Sequence, residues 1–99
     1  MLKINRIEEG DKITFALEGK LDTITSPELE KEVNESINDV IDLVFDCKKL
    51  EYISSMGLRV LLAAQQAIEG NGNMKIINVN EEVMEIFEVT GFDSIFYIE

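Results

Sequence analysis

The sequence contains no histidine, and this absence excludes several kinds of chemistry at once. Histidine is the usual general base of nucleophilic enzymes, a frequent metal ligand and a proton shuttle near neutral pH. Without it, a nucleophilic serine would need an unusual base such as Lys48 or Lys49, and no oxyanion motif accompanies either lysine. No phosphate-binding loop is present. We therefore expect no enzymatic activity, no metal site and no cofactor.

Cysteine and long apolar runs are also scarce. The single cysteine, Cys47, cannot form an internal disulfide, and its place in a hydrophobic strand pattern favours a buried, unreactive thiol. No apolar run approaches the ~20 residues that a membrane-spanning helix needs. The first residues lack the apolar core of a signal peptide. The sequence therefore predicts a cytoplasmic protein without membrane insertion.

Basic residues are outnumbered by acidic ones. Nine Lys and Arg stand against 20 Asp and Glu, so the formal net charge is −11. Such a surface repels phosphate backbones, and we expect no direct binding of nucleic acid. The charge either steers the protein towards a basic partner or simply keeps it soluble. The length of 99 residues with 45% hydrophobic content predicts one small domain over residues 1–99.

Hydrophobic periodicity predicts elements in the order ββαβαβαβ. This order indicates an α/β domain with a mixed β-sheet of four to five strands and helices packed against it. The first half comprises a strand through Leu2, Ile4 and Ile7, a turn at Glu9–Asp11, a strand through Ile13, Phe15 and Leu17 that ends at Gly19, and a helix that starts at Thr25–Glu28 with a hydroxyl cap. The second half comprises a strand over about Asp42–Cys47, a helix over about Met56–Glu69, a strand over Met74–Val79, a helix from Asn80 to Gly91, and a strand over Ser94–Ile98.

Two serines, Ser54 and Ser55, fall at the start of the second predicted helix. A serine oxygen there can accept a hydrogen bond from the unpaired N–H groups of the first turn, which makes a structural cap. The same N–H groups and the positive end of the helix dipole also favour a phosphate. The position therefore supports two interpretations, a helix cap or a covalent switch.

The second helix has an apolar side and a polar side. Its apolar arc, which we expect to pack on the sheet, consists of Gly57, Val60, Leu61, Ala64, Ala67 and Ile68. The opposite side carries Ser55, Arg59, Gln66 and Glu69, with Leu58 and Leu62 among them. The two leucines predict an exposed contact patch, or else residues that a neighbouring loop covers.

Several segments together resemble the anti-sigma factor antagonists of the STAS domain family. They are Gly19–Asp22, Thr25–Leu29, Leu43–Asp46, Tyr52–Leu58 and Thr90–Phe92, so the resemblance covers essentially the whole chain. The most specific element is an Asp followed by two small or hydroxylic residues and then Gly-Leu, which here is Gly57-Leu58. The residue after that Asp is the phosphorylated serine of the family, and it falls on Ser55.

This chain departs from the family pattern at three positions. Ser54 stands where the family usually has the aspartate, which makes Ser54 the alternative phosphoacceptor. Met56 replaces a small or hydroxylic residue, and Arg59 stands where a small glycine is common. These changes alter the shape and charge of the surface that a kinase would recognise.

The resemblance implies a partner switch. The unphosphorylated domain would bind an anti-sigma factor that is also a serine kinase and so free a sigma factor; phosphorylation by that kinase would end binding, and a serine phosphatase would reverse it. The expected partner-binding residues are Asp22, Thr23, Ser54, Met56, Gly57, Leu58, Arg59 and Leu62, and the resemblance also implies contacts of the Thr23–Ser26 loop.

Two other functions are considered. A receiver-like domain would use Asp46, at the end of the third strand, as a phosphoaspartate. A STAS domain can also act without phosphorylation, as a scaffold or as a cytoplasmic subunit of a signalling or transporter complex.

Overall fold

The computed structural model describes residues 1–99, which form four strands and three α-helices. In chain order these are β1 (Leu2–Glu9), β2 (Lys12–Leu21), α1 (Ser26–Ser36), β3 (Asp42–Ile53), α2 (Ser55–Ile68), β4 (Asn73–Ile77) and α3 (Glu81–Thr90). Short 3₁₀ turns at Ile37–Asp39 and Phe92–Ser94 follow α1 and α3. No helix has the length and apolar content needed to cross a membrane.

The strands make one mixed sheet in the order β1-β2-β3-β4. Strands β1 and β2 form an antiparallel hairpin, and Gly10 at its turn has a φ of +65°, which glycine adopts without strain. The pairs β2–β3 and β3–β4 are parallel, so the chain crosses over through a helix each time. The predicted α/β fold with a mixed sheet is confirmed.

One face of the sheet carries the core. The alternating residues Ile13, Phe15 and Leu17 of β2 are all buried, and the ring of Phe15 stacks on that of Phe45 with centroids 5.8 Å apart. All three helices contribute side chains to the same core cluster of 23 residues. Cys47 is fully buried in it, and burial, with a smaller effect of the Asp46 carboxylate, raises the pKa of its thiol to about 12.

Two predicted strand ends are wrong. Gly19 lies inside β2 at a change of register with β3, and its φ of +102° and close approach to the Met1 carbonyl oxygen explain why the chain needs glycine there. Strand β3 continues past Cys47 to Ile53. The exposed Lys48 and Lys49 interrupt its alternation of apolar and polar residues at another register shift. A prediction based on that alternation therefore ends the strand too early.

The C-terminal half also differs in part from the prediction. Asn80 caps α3 and Gly91 ends it in the left-handed conformation, as expected. Strand β4 ends at Ile77 instead of Val79, since Asn78 adopts a positive φ of 58°. The predicted strand over Ser94–Ile98 does not form: only Ile98 makes a parallel bridge, to Ile76 of β4. The 3₁₀ turn over Phe92–Ser94 includes the first residue of the predicted strand, and Phe96 packs edge to face on Phe87 of α3.

Candidate functional site

Ser54 joins the end of β3 to the start of α2. Its backbone is extended, and its Oγ accepts a hydrogen bond from the Gly57 N–H at 3.4 Å. Its own N–H donates to the carbonyl oxygen of Leu21 at 2.9 Å, which attaches the start of α2 to the end of β2. The half-buried Ser54 is therefore the helix cap, and its hydroxyl is in use.

Ser55 is the first residue of α2, and its side chain is exposed. It takes no part in the cap, and its hydroxyl makes no hydrogen bond within the chain. Ser54 thus has the structural role, and the fold does not use the Ser55 hydroxyl. The first-turn N–H groups and the helix dipole lie beside it and favour a negative charge.

Gly57 brings α2 close to the ends of two strands. A Cβ at this position would lie 2.8 Å from the side chains of Leu21 and Ile53 and 2.9 Å from the Leu21 carbonyl oxygen. No other residue type fits without movement of the helix. Gly57 was expected to contact a partner, but it is buried, so its role is to set the position of the surface around it.

The expected contact patch of Leu58 and Leu62 is not present. Leu58 is only 3% exposed and belongs to the core, while Leu62 is half-buried and packs against it. The reason is that α2 packs against α1 as well as against the sheet, so it buries two sides instead of one. Ala67, which was assigned to the buried arc, is exposed. Leu58 is therefore covered by the fold, as in the alternative interpretation, and is not part of an exposed patch.

The loop between β2 and α1 lies next to the start of α2 and is held by Asp22. One carboxylate oxygen, Oδ1, accepts hydrogen bonds from the N–H groups of Ile24 and Thr25, each at 3.0 Å. The Thr25 N–H first, and then the Thr25 hydroxyl and the Ile24 N–H, lower the pKa of the Asp22 carboxyl below its ordinary value. This carboxylate therefore holds the backbone of the loop in one conformation.

Thr25 also holds this loop, and the predicted hydroxyl cap of α1 is absent. Its side chain makes no cap hydrogen bond, because its hydroxyl donates to the Lys20 carbonyl oxygen at 2.8 Å and accepts from the Asp22 N–H at 2.9 Å. Ser26 is equally occupied, since its hydroxyl donates to the Asp22 carbonyl oxygen. Both residues are buried, which leaves Thr23 and Ile24 as the exposed part of the loop.

Exposed side chains from both segments form what we call the Ser55 surface. It consists of Thr23 and Ile24 on the loop and Ser55, Met56 and Arg59 on α2. Arg59 takes part in neither of the two ion pairs of the structure, so its charge is free. The prediction did not name Ile24 by itself, although Ile24 lies in the Thr23–Ser26 loop that the resemblance implies as a partner contact.

Asp46, which a receiver-like domain would use as its phosphoaspartate, makes hydrogen bonds within the fold. Its Oδ1 accepts from the Lys48 N–H at 3.0 Å and from the Asn78 side-chain amide at 3.1 Å. No group of three Asp, Glu or Cys residues is close enough together to hold a metal ion beside it. Asp46 thus fixes the chain at the end of β4.

Comparisons with known proteins agree with this geometry. The family model described as the STAS domain matches residues 3–99. The chain is 37% identical over 97 residues to BtrV of Bordetella bronchiseptica, named as an anti-sigma factor antagonist, and the match covers 96% of this chain and 84% of that protein.

Two solved structures have the same fold. An anti-sigma factor antagonist from Mycobacterium paratuberculosis matches with a TM-score of 0.90 at 20% identity, covering 99% of this chain and 85% of that one. The Bacillus cell fate determinant SpoIIAA, solved in its phosphorylated form, matches with a TM-score of 0.75 at 15% identity, covering 100% and 91% of the two chains.

Proposed function

The chain belongs to the STAS domain family, and from this premise we propose that it is an anti-sigma factor antagonist that phosphorylation of Ser55 switches off. In its unphosphorylated form it binds an anti-sigma factor through the Ser55 surface and so frees a sigma factor. That anti-sigma factor is also the serine kinase, and a serine phosphatase restores binding. The chain itself acts by binding and not by catalysis.

The exposure of Ser55 at the first turn of α2 is the observation that carries this proposal. The neighbouring Ser54 is less suited as the phosphoacceptor, because its half-buried hydroxyl caps the helix. Phosphorylation of Ser54 would remove its hydroxyl from the cap. Phosphorylation of Ser55 would leave every hydrogen bond of the fold intact. SpoIIAA, which has the same fold, is a protein known in a phosphorylated form.

The switch depends on a difference in free energy: the phosphate is accommodated in the free domain but is unfavourable in the complex. In the free domain the added charge of about −1.5 to −2 remains in water at a helix N-terminus, which favours it. In the complex the same charge is enclosed between two protein surfaces. An incompletely compensated charge there costs ~4 kcal/mol, which corresponds to about a thousandfold loss of affinity.

Phosphorylation is tested by incubation with Mg-ATP and the serine-kinase anti-sigma factor encoded nearest to the gene for this chain. We expect one phosphate, which tandem mass spectrometry locates on Ser55. The variant S55A should remain unlabelled, whereas S54A should be labelled although its helix loses a cap worth about 1 kcal/mol. S94A is the matched control, since Ser94 is exposed on the 3₁₀ turn after α3.

The switch itself is tested by calorimetric titration of S55A and S55E against the same kinase. We expect S55A to bind as the wild type does and S55E to bind more weakly, since glutamate places a negative charge at the centre of the contact. Equal affinities of the two variants, together with an unlabelled Ser55, would instead favour the scaffold without phosphorylation.

A further inference from the structure

The sheet has two edges, and the fold covers only one of them. The C-terminal segment runs beside β4, where the Ile76 N–H donates to the Tyr97 carbonyl oxygen and the Glu99 N–H donates to the Ile76 carbonyl oxygen, each at 2.9 Å. No segment lies in the corresponding place beside β1. An edge strand with unpaired backbone groups can pair with another chain unless the protein protects it.

Strand β1 directs the backbone groups of every second residue away from the molecule. The Lys20 N–H donates to the Met1 carbonyl oxygen, and bonding alternates along an antiparallel pair, so the odd-numbered residues of β1 bond to β2. The even-numbered residues therefore direct their N–H and C=O groups outwards. These residues are Leu2, Ile4, Arg6 and Glu8, and no hydrogen bond to another segment uses their backbone.

The usual ways of protecting a sheet edge are absent from β1. The strand is eight residues long, contains no proline and pairs with β2 without any register shift. Only its charges could keep another chain away. They are two basic and two acidic residues, so β1 has no net charge in a chain whose formal net charge is −11. The edge itself therefore does not repel a second copy of the chain.

The order of these charges selects one register for a pair of β1 strands. Two copies can pair antiparallel about a two-fold axis perpendicular to the sheet, with their outward-directed residues opposite each other. With Ile7 on the axis, Arg6 of each copy lies opposite Glu8 of the other. With Arg6 or Glu8 on the axis, like charges lie opposite each other, which is unfavourable. With Asn5 on the axis, Arg6 lies opposite Ile4 and neither charge is paired.

The register with Ile7 on the axis also fits the side chains. Arg6 and Glu8 lie on the same face of the sheet and already form an ion pair at 2.8 Å, so two copies would join four alternating charges. Ile7 lies on the opposite face and is 48% exposed. On the axis it forms a pair without backbone hydrogen bonds, in which the Cα atoms are about 4.5 Å apart, so the two isoleucines would cover each other.

We propose that β1 is a homodimer interface, in which a second copy of this chain pairs with residues 5–9 in this register and joins two four-stranded sheets into one. The paired residues lie beside Lys12–Ala16 of β2. The Ser55 surface is at the other end of β2, where the Leu21 carbonyl oxygen accepts from the Ser54 N–H. The dimer therefore presents two free Ser55 surfaces, and it does not depend on the proposed function.

Self-association of the purified chain is measured by small-angle X-ray scattering and sedimentation equilibrium. The contact is small, so we expect a weak dimer with a Kd of about 0.1–1 mM. R6E and E8R should each weaken dimerisation about tenfold or more, since each sets two pairs of like charges opposite each other. K3E is the matched control, because it makes the same change of charge as R6E on the same strand, outside the paired residues.

An equimolar mixture of R6E and E8R tests the register. One variant is acidic and the other is basic at both positions, so the mixture should dimerise about as tightly as the wild type although neither variant does so alone. Amide hydrogen exchange should show that the N–H groups of Arg6 and Glu8 become protected as the wild-type concentration rises.

Four results would each overturn the proposed interface. They are a wild type that stays monomeric at the highest concentration, a K3E variant that is weakened as much as R6E, a mixture that stays monomeric, and a wild-type dimer in which the Arg6 and Glu8 amides exchange as they do in the monomer. The last result would show that the dimer uses another surface.

Discussion

Arg59 lies on α2 four residues after Ser55, which places the two side chains on the same side of the helix one turn apart. It is exposed and makes no ion pair with any of the 20 acidic residues. A guanidinium that is free in the unmodified domain is available to a phosphate on Ser55. Arg59 would then stabilise the phosphorylated, released form of the protein.

We therefore predict that R59Q raises the pKa of a phosphoserine at position 55. The second phosphate pKa is about 6, and a cation one turn away favours the dianion. An exposed pair contributes about 0.2–1 kcal/mol, so the wild-type value should be lower than that of R59Q by about 0.1–0.7. Phosphorus NMR titration of protein with phosphoserine inserted during translation measures this. K31Q, which removes an exposed cation from α1, is the control, and equal values for R59Q and the wild type would contradict the pairing.

The residues of the candidate site were predictable only where local chain chemistry decides their place. Serines before an apolar helix, and Gly57 near its start, are signals that one segment carries by itself. The burial of Leu58 is a result of tertiary packing, in which α2 lies against α1 as well as against the sheet. Likewise, the hydroxyls before Pro27 suggest a side-chain cap for α1, but the Thr25 hydroxyl instead accepts from the Asp22 N–H and donates to the Lys20 carbonyl oxygen. Periodicity within one helix contains no information on either contact.

At the scale of elements, Asn80 connects α3 to the sheet. Its Oδ1 accepts from the Val83 N–H at 2.8 Å, which caps the helix, and its Nδ2 donates to the Leu50 carbonyl oxygen of β3 at 2.7 Å. This one side chain thus caps α3 and also attaches it to β3. The neighbouring Val83 and Phe87 of α3 are fully buried, so the orientation of the whole helix depends on this point.

We predict that N80A and N80D destabilise the domain by different amounts. N80D retains an acceptor for the cap but lacks the donor to Leu50, which costs about 1–3 kcal/mol for an unpaired buried carbonyl. N80A also loses the helix cap, which lowers the free energy of unfolding by about 1 kcal/mol more. Denaturant unfolding measures both, with N34A on the exposed side of α1 as control. An N80D variant as stable as the wild type would show that the bond to Leu50 contributes nothing.

The elements themselves were largely predictable, and the exceptions have a common cause. Asn80 and Gly91 mark the ends of α3 because capping chemistry is local. The predicted last strand overlaps the 3₁₀ turn over Phe92–Ser94, and its Phe96 packs edge to face on Phe87 of α3, with ring centroids 5.9 Å apart. Strand β3 exceeds its predicted length because a register shift with β2 changes which residues face the core. Both outcomes are set by tertiary packing.

Two of the helices carry a large excess of negative charge. Helix α1 has four glutamates and one lysine, and α3 has four glutamates and no basic residue. Glu81 and Glu85 are four residues apart on α3, where like charges repel. With a net charge of −11 and only two ion pairs, this repulsion is not relieved within the fold.

We therefore predict that salt stabilises the domain. Raising NaCl from about 0.01 M to about 1 M shortens the Debye length from about 30 Å to about 3 Å, which screens repulsion between the helices and along α3. A gain of about 1 kcal/mol corresponds to a rise in melting temperature of about 4–8 °C for a domain of this size, measurable by calorimetry or circular dichroism. The variant E85K separates this effect from general salting-out, because it replaces the Glu81–Glu85 repulsion by an attractive pair of the favourable orientation. It should melt higher than the wild type at low salt and gain less from added NaCl. A melting temperature that is unchanged by salt, or falls, would mean that the acidic surface does not oppose folding and that its charge acts only on the partner.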